Sequence, residues 1–343
     1  MAGADDPVGP NSAQLSEDRA LPDVVTFAFD GRGAGHAIEA TEFVALDAKS
    51  GPDEFRWQLL RLDAAGTQEL LSACDLDQFV VDALLADETR PRCTVHGDGV
   101  VLNLRGVNLN PGADPEDMVS LRLWIDAGRV LGVWRRPLMA VRDQIAAIER
   151  SHFPMSPGDL VVKLALRLAD RAEPTVEALG GRIDELEEQM LDPDAEVARG
   201  GLADVRRRSI ILRRYFVPQR DALASLEIEE LSWLKDRDRS RLREAAERVY
   251  RLGEELDAIR DRAQVVHDQI MDRRAERMNR QMLLLSVVAA IFLPLGLITG
   301  LLGINVGGIP GAGNPGAFWI VCGILLVLAT VFLLWFRRIG LFR

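Results

Sequence analysis

Two uncharged apolar runs near the C-terminus constrain this chain more than anything before them. Residues 282–302 (MLLLSVVAAIFLPLGLITGLL) carry no charge, and 21 residues make roughly 31 Å of α-helix, the thickness of a bilayer core. Residues 317–336 form a second such run, and the short segment between the two, 303–316, is uncharged as well. Two spans so close in sequence form a hairpin. From Gln281 to Arg343 there is no Asp, Glu, His or Lys. Chemistry inside a membrane is thereby limited to backbone carbonyls, amides, hydroxyls and water.

The flanks orient the hairpin. Arg273, Arg274, Arg277 and Arg280 precede the first span, and Arg337, Arg338 and Arg343 follow the second. The positive-inside rule puts both flanks, and with them both termini, in the cytoplasm and loop 303–316 in the periplasm. Two helices cannot enclose a pore alone, so the hairpin either anchors the chain or assembles with other copies. The net charge of −11 therefore sits in the part before the spans. It argues against a nucleic-acid partner and is compatible with cation attraction as well as with plain solubility. Cys74, Cys93 and Cys322 are too scattered for a disulfide framework or a Cys-x-x-Cys zinc site. Residues 1–22 have no signal-peptide pattern and are expected to be a mobile tail.

Residues 23–156 are expected to form a cytoplasmic α/β domain. Residues 24–30 and 55–63 alternate like strands, and 67–87 has the apolar spacing of one helix at Leu70, Leu71, Leu76, Phe79, Val80, Leu84 and Leu85. Gly97-Asp98-Gly99 and Asp126-Ala127-Gly128 each separate two strand-like runs and mark hairpins. Gly31-x-Gly33-x-Gly35 opens no helical pattern, which excludes a dinucleotide loop.

From residue 157 the pattern turns helical, and 157–281 is expected to be a cytoplasmic stalk region. A first helix over 159–191 places Leu160, Leu164, Leu168, Val176, Leu179, Ile183, Leu186 and Met190 on its core side. A second, over 195–227, uses Ile210, Ile211, Leu212, Tyr215, Phe216, Leu223 and Leu226, with a kink at Pro218. A third starts near Arg239 and meets no strong breaker until Pro294, so it runs into the first span. Residues 239–302 then form one rod of ~96 Å.

One face of that rod carries the candidate site. Asp268 and Asp272 lie four apart and share a face. They are either solvated, or paired with Arg262, Arg273 or Arg274, or, in a symmetric oligomer, rings that attract cations. Asn279 and Met282 follow at the membrane entrance, then Leu285, Ser286, Ala289, Leu293, Gly296 and Gly300. Large and tiny residues alternate there, which suits either an apolar constriction or close helix packing. Gly303-Ile304-Asn305 ends the span. It reads as a helix cap, or as a ring of outward carbonyls and amide oxygens suited to a hydrated cation.

The hairpin, the continuous third helix and Gly303-x-Asn305 together resemble the CorA family of divalent-cation transporters. Residues 298–311 (ITGLLGINVGGIPG) resemble its ZntB-type zinc branch, as do Thr89-Arg90-Pro91-Arg92, Asp30-Gly31-Arg32-Gly33, Arg213-Arg214-Tyr215 and Pro218-Gln219-Arg220-Asp221. Ile304 stands where the magnesium-type pattern has Met. The resemblance implies a funnel-shaped homopentamer in the bacterial inner membrane, with an α/β cytoplasmic domain, a helical stalk, a pore-lining first span (282–302) and an outer second span (317–336), followed by a short tail (337–343). It makes Gly303, Ile304 and Asn305 the outer selectivity ring, Asn279 and Met282 the inner mouth, and Asp268 a stalk ring, with Asn305 and Asp268 as the metal-contacting positions. It implies Zn²⁺ as the transported ion, with Co²⁺, Ni²⁺ or Cd²⁺ beside it, coupling to a proton gradient, and no cofactor. A Mg²⁺ channel of the same fold and a membrane-tethered scaffold are the alternatives. No nucleophile–base set or phosphate loop points to an enzyme.

Overall fold

The computed structural model describes residues 21–44, 51, 53–87, 90–191, 199–304, 307, 309, 311 and 313–339. The expected tail before residue 21, Thr89 of the Thr-Arg-Pro-Arg motif, Asn305 and Arg343 lie outside the described residues. The chain divides into two compact units, Met1–Val266 and His267–Arg343.

The first unit holds a seven-stranded mixed sheet in the order β2-β1-β3-β7-β6-β5-β4. Its strands are β1 (Val24–Phe29), β2 (Gly35–Ala37), β3 (Phe55–Arg61), β4 (Arg92–His96), β5 (Gly99–Gly106), β6 (Val119–Ile125) and β7 (Arg129–Trp134). Only β3 and β7 pair in parallel, Trp57 opposite Val130 and Leu59 opposite Gly132; the other neighbours are antiparallel. Both expected hairpins form. In the first, His96 pairs with Gly99, and Gly97 takes φ 58 in the turn, a left-handed value that glycine tolerates. Strand β5, one in from the edge strand β4, is buried on both sides because both sides are covered. Val101 joins Leu60, Trp124, Leu131 and Val133 in a core closed by Phe43, Leu71, Val80 and Leu84. Gly106 lies on the opposite side, where a Cβ would stand 2.6 Å from Leu168 Cδ2.

The expected helix over 67–87 is two helices, α2 (Thr67–Ala73) and α3 (Gln78–Leu85). Asp75 takes a left-handed φ of 49, and the Asp77 carboxylate caps α3 by accepting from Phe79 N at 2.8 Å. The apolar spacing persists across this turn, which is why periodicity misses it. Strand β2 and two further helices, α1 (Ala40–Val44) and α4 (Met139–Glu149), complete the domain.

Three long helices follow: α5 (Pro157–Leu191), α6 (Arg199–Ile228) and α7 (Asp236–Gly303). All eight residues assigned to the core side of α5 are buried. On α6, Leu212, Phe216, Leu223 and Leu226 are buried as expected, but Ile210 is 46% exposed and faces away from the bundle. Ion pairs run upward in step between α5 and α7: Asp159–Arg241 at 2.6 Å, Asp170–Arg248 at 2.6 Å and Asp184–Arg262 at 2.5 Å. The two helices are therefore parallel. Glu227–Arg243 and Arg213–Asp257 run in the reverse sense, so α6 is antiparallel to α7.

The second unit contains the C-terminal part of α7 and α8 (Ala317–Arg338). Both helices are long and apolar enough to cross a membrane. Trp319 and Trp335 sit near the two ends of α8 and are more than half exposed. Sixteen residues of helix separate them, ~24 Å, the spacing of an aromatic belt at two membrane interfaces.

Candidate functional site

Every candidate pore position lies on α7 or directly after it. Asn279, Met282, Leu285, Ser286, Ala289, Leu293, Gly296 and Gly300 are all exposed, as are Asp268 and Asp272 before them. Leu285 at 70% and Leu293 at 77% are among the most exposed apolar residues of the unit. The covered positions of the same span are Val287, Ile291, Pro294, Leu295 and Ile298. These recur at helical spacing on one side, and α8 likewise has a covered side that includes Val321, Cys322, Leu325, Leu328, Ala329, Phe332 and Phe336. At 100° per residue the candidate face lies nearly opposite, about 170° round the helix. The hairpin thus uses one side of α7 for itself and leaves the candidate face open.

That open face changes chemistry along its length. It begins with carboxylates, passes an amide at Asn279, and becomes apolar or bare at Ala289, Leu293, Gly296 and Gly300. Asp268 has a partner of its own and is not a bare carboxylate; Arg273 and Arg277 are partnered too. Arg262, one of the arginines expected to neutralise these aspartates, is engaged elsewhere. Its guanidinium grips Glu187 at 2.6 Å and Asp184 at 2.5 Å on α5, and these bonds hold its pKa above the ordinary value.

Two local features act on the span itself. Pro294 has no N–H, which leaves the Ala290 carbonyl without its helical donor. The Thr299 hydroxyl donates to the Leu295 and Gly296 carbonyls, each at 3.1 Å. Gly303 is the last helical residue and Ile304 follows half exposed. Among the described residues no group of three or more His, Cys, Asp or Glu side chains is placed to hold a metal ion.

The start of α7 is anchored by buried groups that periodicity does not reveal. Ser156 Oγ accepts from Asp159 N at 2.9 Å, capping α5, and donates to Asp238 Oδ2 at 2.7 Å in the first turn of α7. Asp159 is neutralised by Lys163 at 2.8 Å and Arg241 at 2.6 Å. Asp238 is 3% exposed. Burial pushes its carboxyl above the ordinary range and nearby Asp159 adds to that, against the Ser156 hydrogen bond. The Ser-Pro-x-Asp sequence at 156–159 is a recognisable helix start, but its link to residue 238 is not legible in one dimension.

Known proteins resemble this chain over nearly its whole length. The family described as "CorA-like Mg2+ transporter protein" matches residues 52–338. A protein of Pseudomonas aeruginosa named "Divalent cation transporter CmaX" is 40% identical over 330 residues, covering 95% of this chain and 98% of that protein. The "Zinc transport protein ZntB" of Pectobacterium carotovorum is 36% identical over 259 residues, 76% of this chain and 79% of that one. The solved structure of full-length CmaX superposes with a TM-score of 0.79 at 38% identity, covering 94% of this chain and 99% of the other.

Proposed function

We infer, for a chain that belongs to the CorA-like Mg2+ transporter family and is thereby a divalent cation transporter, that the cargo is Zn²⁺ and that five copies form the path. The observation that carries this is the open face of α7. It is turned away from α8, it is acidic at Asp268 and Asp272, and it is uncharged from Gln281 onward. In a ring of copies this face lines the axis. Carboxylates then gather cations at the cytoplasmic end, Asn279 and Met282 form the inner mouth, and Leu293 is the apolar constriction. Gly303, Ile304 and Asn305 form the outer ring. The resulting order is a cytoplasmic domain over 23–156, a stalk region over 157–281 and a hairpin over 282–343, in the inner membrane with both termini cytoplasmic.

Bare Zn²⁺ prefers His, Cys or carboxylate ligands, and the span has none. Zinc therefore crosses with most of its water, contacted by the Asn305 amide, backbone carbonyls and Ser286. Co²⁺, Ni²⁺ and Cd²⁺ are the next candidates. The zinc-named relative and Ile304 favour zinc. Mg²⁺ is the second reading, favoured by the same uncharged lining, because Mg²⁺ gives up its water reluctantly. A span without a titratable group places any proton coupling in the stalk acids or in pore water.

Metal uptake into liposomes holding the purified protein tests this, with Zn²⁺ against Mg²⁺ and with or without an inward proton gradient. Zinc uptake that grows with the gradient and is abolished by Asn305→Ala is the expected result. Gradient-independent flux favouring Mg²⁺ makes the zinc assignment wrong. No flux of either metal returns the hairpin to a mere anchor.

A further inference from the structure

The outward side of α6 is built like a helix-packing seam that nothing in its own chain covers. Ala203, Ile210, Val217 and Ala224 recur every seven residues along it, the two large residues flanked by small ones. Ile210 is 46% and Val217 41% exposed, although β-branched residues at that spacing suit a helix–helix contact. Beside them stand Arg206 and Arg214. Both are exposed, and neither has a carboxylate partner among the described residues; Arg214 touches Tyr215, with the hydroxyl at 3.0 Å and the ring centroid at 5.2 Å. A basic stripe is unexpected in a chain of net charge −11.

The charge sets the kind of partner. Two copies of this stripe face to face would bring arginine against arginine, which opposes a two-fold contact. The complement lies on a different helix of the same chain. The side of α5 that borders α7 carries Glu173, Glu177 and Glu188, in phase with Asp170 and Asp184; all three are exposed, and the α7 arginines nearby pair with Asp170 and Asp184 instead. The three glutamates span 15 residues, ~22 Å of helix, against ~17 Å for the stripe from Arg206 to Val217. A patch that fits a different patch on an identical copy makes a head-to-tail contact, and such contacts close into rings.

We propose that the Ile210–Val217 stripe of α6 packs against the Glu173–Glu188 stripe of α5 in the next copy, so that the stalk regions link the ring independently of the spans. The inference rests on the ring assembly proposed above. Apolar contact at Ile210 and Val217 supplies adhesion, and the arginine–glutamate pairs set direction and register.

Charge exchange in the full-length protein, purified in detergent and sized by light scattering at low concentration and low salt, tests it. Arg206→Glu with Arg214→Glu should cut the assembled fraction about tenfold, and Glu173→Arg with Glu177→Arg should do the same, since like charges then face each other. All four substitutions in one chain should restore assembly to within about twofold of wild type, which also shows that the reversed chains fold. An oligomeric wild type whose assembly ignores both reversals overturns the proposal, as does a fourfold variant no better than either pair. A monomeric wild type would instead sink the ring reading on which it rests.

Discussion

Ser156→Ala is the sharpest test of how the long helix is held. The hydroxyl has two roles, and the substitution removes both. Losing a serine N-cap costs about 1 kcal/mol. Losing the 2.7 Å bond to Asp238 Oδ2 leaves a buried carboxylate short of a donor, which costs roughly 1–3 kcal/mol. The sum is about 2–4 kcal/mol. At about 2–4 °C per kcal/mol for a unit of this size, the melting point should fall by about 10 °C. Urea unfolding followed by intrinsic fluorescence should show a lower midpoint with an unchanged slope, because no extra surface is exposed on unfolding. Ser156→Thr keeps the oxygen and should recover most of the loss. A Ser156→Ala variant less than about 1 kcal/mol below wild type would mean that the hydroxyl acts only as a cap, and the proposed tie to α7 would be wrong.

Asp238 itself gives a pH signature. Its folded carboxyl sits above the ordinary 3.8, so the folded state binds this proton more tightly than the unfolded chain. The stability it contributes is absent above the raised pKa and grows as pH falls through it toward 3.8. Asp238→Asn should lose that acid-side rise and be at least as stable as wild type at neutral pH; a clear loss of stability there would show that the charge is needed. In the span, Leu293→Ser should change the melting point little, since only a quarter or so of a side chain worth ~2 kcal/mol is buried in one chain. It should raise metal leak into liposomes by wetting the constriction. Val287→Ala should do the opposite, costing about 1–2 kcal/mol of packing against α8 and leaving selectivity alone. An exchange of these two outcomes would refute the assignment of faces.

The parts legible in the sequence share a cause. Residues 282–302 and 317–336 are unmistakable because long charge-free runs are rare outside membranes. The core side of α5 is legible because its apolar residues occupy a single sector with acids and arginines opposite. Helix α6 breaks that condition. Ile210 and Ile211 are neighbours about 100° apart, one outward and one toward the bundle, and composition alone does not say which belongs to the chain's own core. The turn at Asp75 is hidden for the reverse reason, since Leu76, Phe79 and Val80 continue the spacing across it.

Within the span the difficulty is greatest, because in lipid the pore side, the packed side and the outer side are all apolar. Polarity no longer separates them, and only phase does. Apart from Leu285, the candidate face from Asp268 to Gly303 falls on two lines of sevenfold spacing. One runs through Asp268, Ala275, Met282, Ala289, Gly296 and Gly303, the other through Asp272, Asn279, Ser286, Leu293 and Gly300. A straight α-helix drifts about 20° per seven residues from such a line, so over this length the lines wander by roughly 90° unless the helix is supercoiled. In the proposed ring the neighbours to coil against are the α7 helices of other copies, on the side away from the covered positions of the hairpin. In that proposed ring, the side chain of Leu293, 77% exposed in one copy, is the one free to close a constriction among several.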